Sequence, residues 1–118
     1  MDQPITAHLR PLRRRYGFTQ KELAFLIGIR SRTGVSRIEG SKRKPNLAAV
    51  YICALLFNTP PPHLFPDLTS ELHEALLRRA NELYEELQGD SSKTTRIKLD
   101  FLEQLIARLD TERPDSSV

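Results

Sequence analysis

The chain has 118 residues, a formal net charge of +3, no tryptophan and 7% aromatic residues. That length suits one small domain with an aliphatic core plus an accessory element, and excludes two large domains. The single cysteine, Cys53, excludes an intramolecular disulfide, no cysteine or histidine cluster has metal-ligand spacing, and no apolar run approaches the roughly 20 residues that span a bilayer. No cofactor and no membrane partner are therefore expected. With no basic-then-apolar leader at the N-terminus, the expectation is a soluble protein of a reducing cytoplasm.

Leu9, Leu12 and Tyr16 recur at helical spacing, which predicts a first helix from about Ala7 to Tyr16 that stops at Gly17. Thr19 opens a second helix through a Thr-x-x-Glu capping box with Glu22, in which each side chain accepts from the other residue's backbone N–H. Leu23, Ala24, Leu26 and Ile27 form its expected buried stripe, Gly28 ends it, and Ile29 is expected to plug the turn. Ser31 is the next candidate N-cap. Val35 and Ile38 then mark the inner face of a very short third helix ending near Glu39 or Gly40, whose outer face carries Arg32, Thr33, Ser36 and Arg37. Gly34 inside it costs about 1 kcal/mol relative to alanine, which points either to a close approach or to a loosely held first turn.

A basic loop, Ser41-Lys42-Arg43-Lys44-Pro45, follows, and Asn46 can cap a fourth helix that is the most apolar of the chain, with Leu47, Val50, Tyr51, Ala54, Leu55 and Phe57. Asn58 is expected to end it. Four prolines lie between Thr59 and Asp67, with Leu64 and Phe65 folding back onto the core as a fifth helical turn. Ser70 is expected to cap a sixth helix with Leu72, Leu76, Ala80, Leu83 and Leu87 as one stripe. Gln88 to Thr95 reads as a polar turn. A seventh helix then resumes, with Ile97, Phe101, Leu105 and Leu109 along one side and Leu102 and Ile106 beside them. Residues 112–118 are expected to lack order. The fold class is all-α, organised as residues 1–68 and an acidic helical hairpin over 69–118.

Charge is segregated along the chain. Residues 1–45 hold eleven Lys/Arg against three acids, and residues 46–118 seven against twelve. A basic segment of that density suits a polyanion, because each cation placed on a phosphate releases condensed counterions.

The run Gln20-x-x-Leu23-Ala24-x-x-Ile27-Gly28-Ile29, followed by Val35-Ser36-Arg37-Ile38-Glu39 and Lys42-Arg43-Lys44-Pro45-Asn46, resembles the lambda-repressor-like, or Xre/Cro-type, helix-turn-helix family. The resemblance covers about residues 9–66, including Leu64-Phe65, and implies a five-helix domain that places its third helix in the major groove of double-stranded DNA. Two departures stand out. One extra residue lies between the turn glycine and the recognition helix, placed at Ile29 or Arg30, and Gly40-Ser41 reverses the family's more usual order, in which the glycine comes second.

On this resemblance Arg32, Thr33, Ser36 and Arg37 are candidates for reading base edges, arginine being able to bond guanine bidentately and the hydroxyls adapting to several partners. Gln20, Arg30, Ser31, Lys42, Arg43 and Lys44 are candidates for the DNA backbone, and Arg13 and Arg14 for adding to the positive field. Glu39 is expected to pair with an arginine such as Arg13. His8, His63 and His73 are scattered, and nothing beside them or Cys53 has the makings of nucleophilic or acid–base catalysis, so no enzyme is expected.

The first five helices are expected to bury their own stripes, leaving the apolar faces of the hairpin in need of a partner. Leu76, Leu83, Leu87, Phe101, Leu105 and Leu109 are the candidates for that contact. A homodimer with two recognition helices one turn of DNA apart, packing back on the first domain, or docking of a different protein would each satisfy them. The leading functional expectation is a dimeric repressor of a near-palindromic operator. Its rival is an antitoxin or other protein-interaction module that uses the helix-turn-helix chiefly as a scaffold.

Overall fold

The computed structural model describes residues 8–112, which form seven α-helices and no strand. They are α1 (Leu9–Arg15), α2 (Gln20–Ile27), α3 (Arg32–Glu39), α4 (Leu47–Phe57), α5 (Pro61–Leu64), α6 (Pro66–Glu86) and α7 (Lys93–Thr111). Ala7 and residues 113–118, on which parts of the first-helix and tail expectations fall, lie outside the described residues. The chain divides into two compact units, Met1–Thr69 and Ser70–Val118.

In the first unit the predicted stripes become a core. Leu9 of α1, Leu23, Ala24 and Ile27 of α2, Val35 and Ile38 of α3, Ala49 and Cys53 of α4, and Leu64-Phe65 close into one buried cluster. Each fully buried leucine or valine here removes enough apolar surface from water to contribute roughly 1.5–3 kcal/mol. Local chemistry fixes where the helices start and stop. The Thr19–Glu22 capping box is present in both directions, at 3.0 and 2.9 Å. Gly28 takes the left-handed conformation (φ +89°) that ends α2, and the amides of Gly28 and Ile29 both return to the Ala24 carbonyl. Asn46 caps α4 through Oδ1 to the Ala49 amide at 2.8 Å, and Asn58 closes it with φ +48°.

The fourth helix corrects an expectation. It is apolar all round, so one side faces the core while Leu47, Tyr51 and Leu55, spaced by four, stand 83%, 62% and 64% exposed. The first five helices therefore do not bury all of their apolar side chains. Leu26, expected in the α2 stripe, is likewise exposed.

The sixth helix starts earlier than its sequence signals imply. It begins at Pro66, whose fixed φ suits a first turn, so Ser70 lies inside it and caps nothing. Thr69 instead turns its hydroxyl back to the Phe65 carbonyl at 3.1 Å. The seventh helix also starts earlier, at Lys93, because Ser92 accepts from the Thr95 amide and Asp90 receives both the Ser92 amide and the Thr95 hydroxyl. Thr95 is buried as a result, not part of a loose turn.

The second unit is a two-helix hairpin that has a core of its own. Leu77 and Ala80 of α6 meet Leu102, Leu105 and Leu109 of α7, with Tyr84, Leu87 and Ile106 packed around them. His73 reaches the Leu109 carbonyl at 2.7 Å. The single leucine stripe expected on α6 is split in two, because the inner face runs through Leu77, Ala80, Tyr84 and Leu87. Leu72, Leu76 and Leu83 are exposed, as are Ile97 and Phe101 of α7.

Candidate nucleic-acid interface

The third helix owes its orientation to Val35 and Ile38, which are buried against α2 and leave the opposite side free. Arg32, Thr33, Ser36 and Arg37 are all exposed there, in two ridges one helical turn long, Arg32/Ser36 and Thr33/Arg37. Between the left-handed Gly28 and the N-cap Ser31 stand two residues, Ile29 and Arg30. Ile29 packs against the core and Arg30 is exposed. Ser31 occupies the cap position with extended backbone, but its hydroxyl makes no cap bond, which departs from the expected role.

Gly34 has a steric reason. A methyl group at its Cα would lie 2.7 Å from Cγ2 of Ile29 and 3.3 Å from Nη1 of Arg43. The close approach, not a loose first turn, is what the missing side chain serves. Arg43 thus lies against the first turn of α3 although it comes from the loop that follows the helix. Arg30, Ser31, Thr33, Gly34, Arg37 and Arg43 together line an open cavity of about 400 Å³. No carboxylate among the described residues pairs with Arg30, Arg37 or Arg43. Lys42 and Lys44 are exposed in the same loop.

Behind the exposed ridges lies a charged cluster. The Glu39 carboxylate, fully buried, receives Arg13 through Nε at 2.6 Å and Nη2 at 3.2 Å, Arg10 at 3.2 Å and the Gln20 amide at 3.1 Å. Burial by itself pushes the Glu39 pKa up, but the bonds from Arg13, Gln20 and Arg10, with the Arg13 charge, outweigh it and hold the group below its ordinary value. Arg13 also donates to the Phe18 carbonyl at 2.9 Å, tying α1, the start of α2 and the end of α3 together.

This arrangement settles where several predicted residues stand. Arg13 is buried and neutralised by Glu39, so it adds little to the external field, contrary to expectation, while Arg14 is exposed. Gln20 sits at the first turn of α2 with its amide nitrogen held by Glu39. The sequence did carry a signal for Arg13: it follows Leu9 by four residues and so shares the inward face of α1. Nothing in the sequence marked Arg43 as a neighbour of Gly34.

The helix-turn-helix family matches residues 9–64. This segment is a lambda-repressor-like helix-turn-helix domain. No curated protein and no solved structure matches the chain. The family is one of DNA-binding transcription regulators, and α2 and α3, the helix pair of the helix-turn-helix domain, lie within the matched segment. Among the described residues no helix is long and apolar enough to cross a membrane and no cluster could hold a metal ion.

Proposed function

We propose that the chain is a sequence-specific transcriptional regulator that acts as a dimeric repressor on a near-palindromic operator. The observation that carries this reading is the recognition helix itself, whose exposed side holds Arg32, Thr33, Ser36 and Arg37 and no carboxylate, the helix's one acid being buried behind it against Arg13. Base-edge contacts from these four side chains supply sequence preference. Phosphate contacts from Gln20, Arg30, Ser31, Lys42, Arg43 and Lys44 supply affinity and register.

Dimerisation is assigned to the outer face of the hairpin, where Leu76, Leu83 and Phe101 are exposed beside Leu72 and Ile97. Leu105 and Leu109 are buried within the hairpin and Leu87 is packed against its core, so these three serve folding of the protomer. The outer face also favours a second reading, in which a different protein docks there and the chain is an antitoxin or adaptor.

Selection of bound sequences from a random duplex pool, run with the mass of the protein in solution, tests both. An inverted repeat with half-sites about 34 Å apart, bound by a dimer, supports the regulator. The absence of any sequence preference refutes it and turns attention to a protein partner.

A further inference from the structure

The first helix carries two stripes. Leu9 and Arg13 face the core and the buried Glu39, whereas His8, Pro11, Leu12 and Arg15 follow one another at i, i+3, i+4 and i+7, the spacing of a second stripe along the same helix. Pro11 is tolerated because it lies in the first turn, where a backbone N–H has no helical partner. Its ring and the Leu12 side chain make the stripe apolar at its centre, with His8 and Arg15 at its ends.

The segment that follows α4 comes to meet this stripe. Thr59 spends its hydroxyl on the Phe57 carbonyl at 2.8 Å, which leaves its methyl as the surface it can offer, and α5 turns Leu64 wholly into the core while His63 before it stays exposed. The His8 amide donates to the Leu64 carbonyl at 2.8 Å and so fixes the start of α1 to the end of α5. His8, Pro11, Leu12, Arg15, Thr59 and His63 thereby line an open cavity of about 580 Å³ whose walls are chiefly apolar. That volume falls within the roughly 300–1,000 Å³ of small-molecule sites. No residue of α2 or α3 lines it, so it is separate from the candidate nucleic-acid interface.

The chemistry at its rim is one-sided. It holds the Arg15 guanidinium and the rings of His8 and His63, and no carboxylate. No acid among the described residues pairs with Arg15, and neither ring has a hydrogen-bond partner there, unlike His73 with its Leu109 carbonyl. A guanidinium takes a carboxylate through paired N–H donors, and an imidazole can donate an N–H in either protonation state. A neutral hydrocarbon would leave the Arg15 charge unanswered, and a bare inorganic anion would leave the apolar walls to water.

We propose that this cavity binds a small amphipathic monocarboxylate, with its apolar body among Pro11, Leu12 and Thr59 and its carboxylate on Arg15, His8 and His63 being further donors. The site is built by the packing of α1 against α5 and depends neither on the DNA-binding reading nor on the dimer.

The test titrates the full-length protein with octanoate and, in parallel, with octanol and acetate, which carry its body and its charge separately. The methyl resonances of Leu12 and Thr59 and the Nε–H of Arg15 are followed. Octanoate is expected to shift all three with one dissociation constant, about tenfold tighter than octanol, and acetate to shift none. Arg15→Gln should remove that advantage and leave octanol binding unchanged. Pro11→Glu, which sets a carboxylate four residues before Arg15, should abolish octanoate binding. Both positions are exposed, so unchanged far-UV circular dichroism is the folding control. The site is overturned by the absence of a saturable shift, by equal affinity for octanoate and either control, by octanoate binding that survives Pro11→Glu, or by shifts confined to the exposed leucines and Phe101 of the hairpin.

Discussion

Ser41 and Gly40 illustrate how a single position can oppose its own backbone. Ser41 adopts φ +61°, the left-handed region that a side chain resists, while the glycine that would enter it freely stands one residue earlier at φ −90°. The family's more usual order, with glycine second, would put the permissive residue where the backbone needs it. Ser41→Gly should therefore raise stability by about 0.5–1 kcal/mol in urea denaturation, strain relief exceeding the added freedom of the unfolded chain. A loss of stability would show that the Ser41 side chain contributes more than its strain. Glu39 poses the opposite case. Its folded pKa is lower than its ordinary 4.5, so its contribution is fully present above that value and is lost as pH falls through the folded one. Glu39→Gln leaves the buried Arg13 without a counter-charge and should cost about 3 kcal/mol at pH 7. That deficit should shrink as pH drops below about 4, since the amide does not titrate while the parent loses its advantage. A deficit independent of pH would mean that the carboxylate's charge is irrelevant to the cluster.

At the scale of elements, the helices whose ends carry explicit chemistry were legible in the sequence. Thr19 with Glu22, Gly28, Asn46 and Asn58 each satisfy or release specific backbone groups, and the structure uses all four as read. The starts of α6 and α7 were not legible, because Pro66 competed with a plausible cap at Ser70, and Asp90 works with Ser92 across a segment that reads as merely polar. Facing direction was harder still. Spacing by three and four cannot say which of two apolar stripes on one helix turns inward, and α4, α6 and α7 each carry two. The two stripes of α7 make a direct comparison. Leu102→Ala opens the hairpin core and should cost about 2–5 kcal/mol, whereas Phe101→Ala, 64% exposed, should cost under about 1 kcal/mol in the isolated protomer. Equal costs at low protein concentration would show that the inner and outer faces are wrongly divided. The recognition helix holds the remaining case. Gly34→Ala gains about 1 kcal/mol of helix propensity but drives a methyl to 2.7 Å from the stiff Cγ2 of Ile29, and overpacking of that kind costs about 1–3 kcal/mol. A net loss of about 1 kcal/mol is expected by denaturation, reversing to a gain when Ile29 is also alanine. No reversal would place the strain elsewhere.

For the whole molecule, the division of charge and the division of apolar surface address different needs. The cations concentrate in the first forty-five residues, and the acids outnumber the bases in the rest. Affinity for DNA is thereby assigned to the helix-turn-helix domain, while the hairpin carries exposed apolar side chains at Leu76, Leu83 and Phe101. If that face joins two copies, specificity for an inverted repeat depends on it although it touches no base. Substituting Leu83 and Phe101 together by glutamate should then convert a dimer to a monomer in sedimentation, with unchanged helicity, because both side chains are exposed and the inner core is untouched. The monomer should lose most of its affinity for the two-half-site operator, since one copy no longer raises the effective concentration of the other, yet keep its weaker affinity for an isolated half-site. A double variant that remains a dimer, or one whose half-site affinity falls equally, would remove the hairpin's outer face from the mechanism. The first result would place the dimer contact on another surface, where the exposed Leu47, Tyr51 and Leu55 of α4 offer the next apolar ridge.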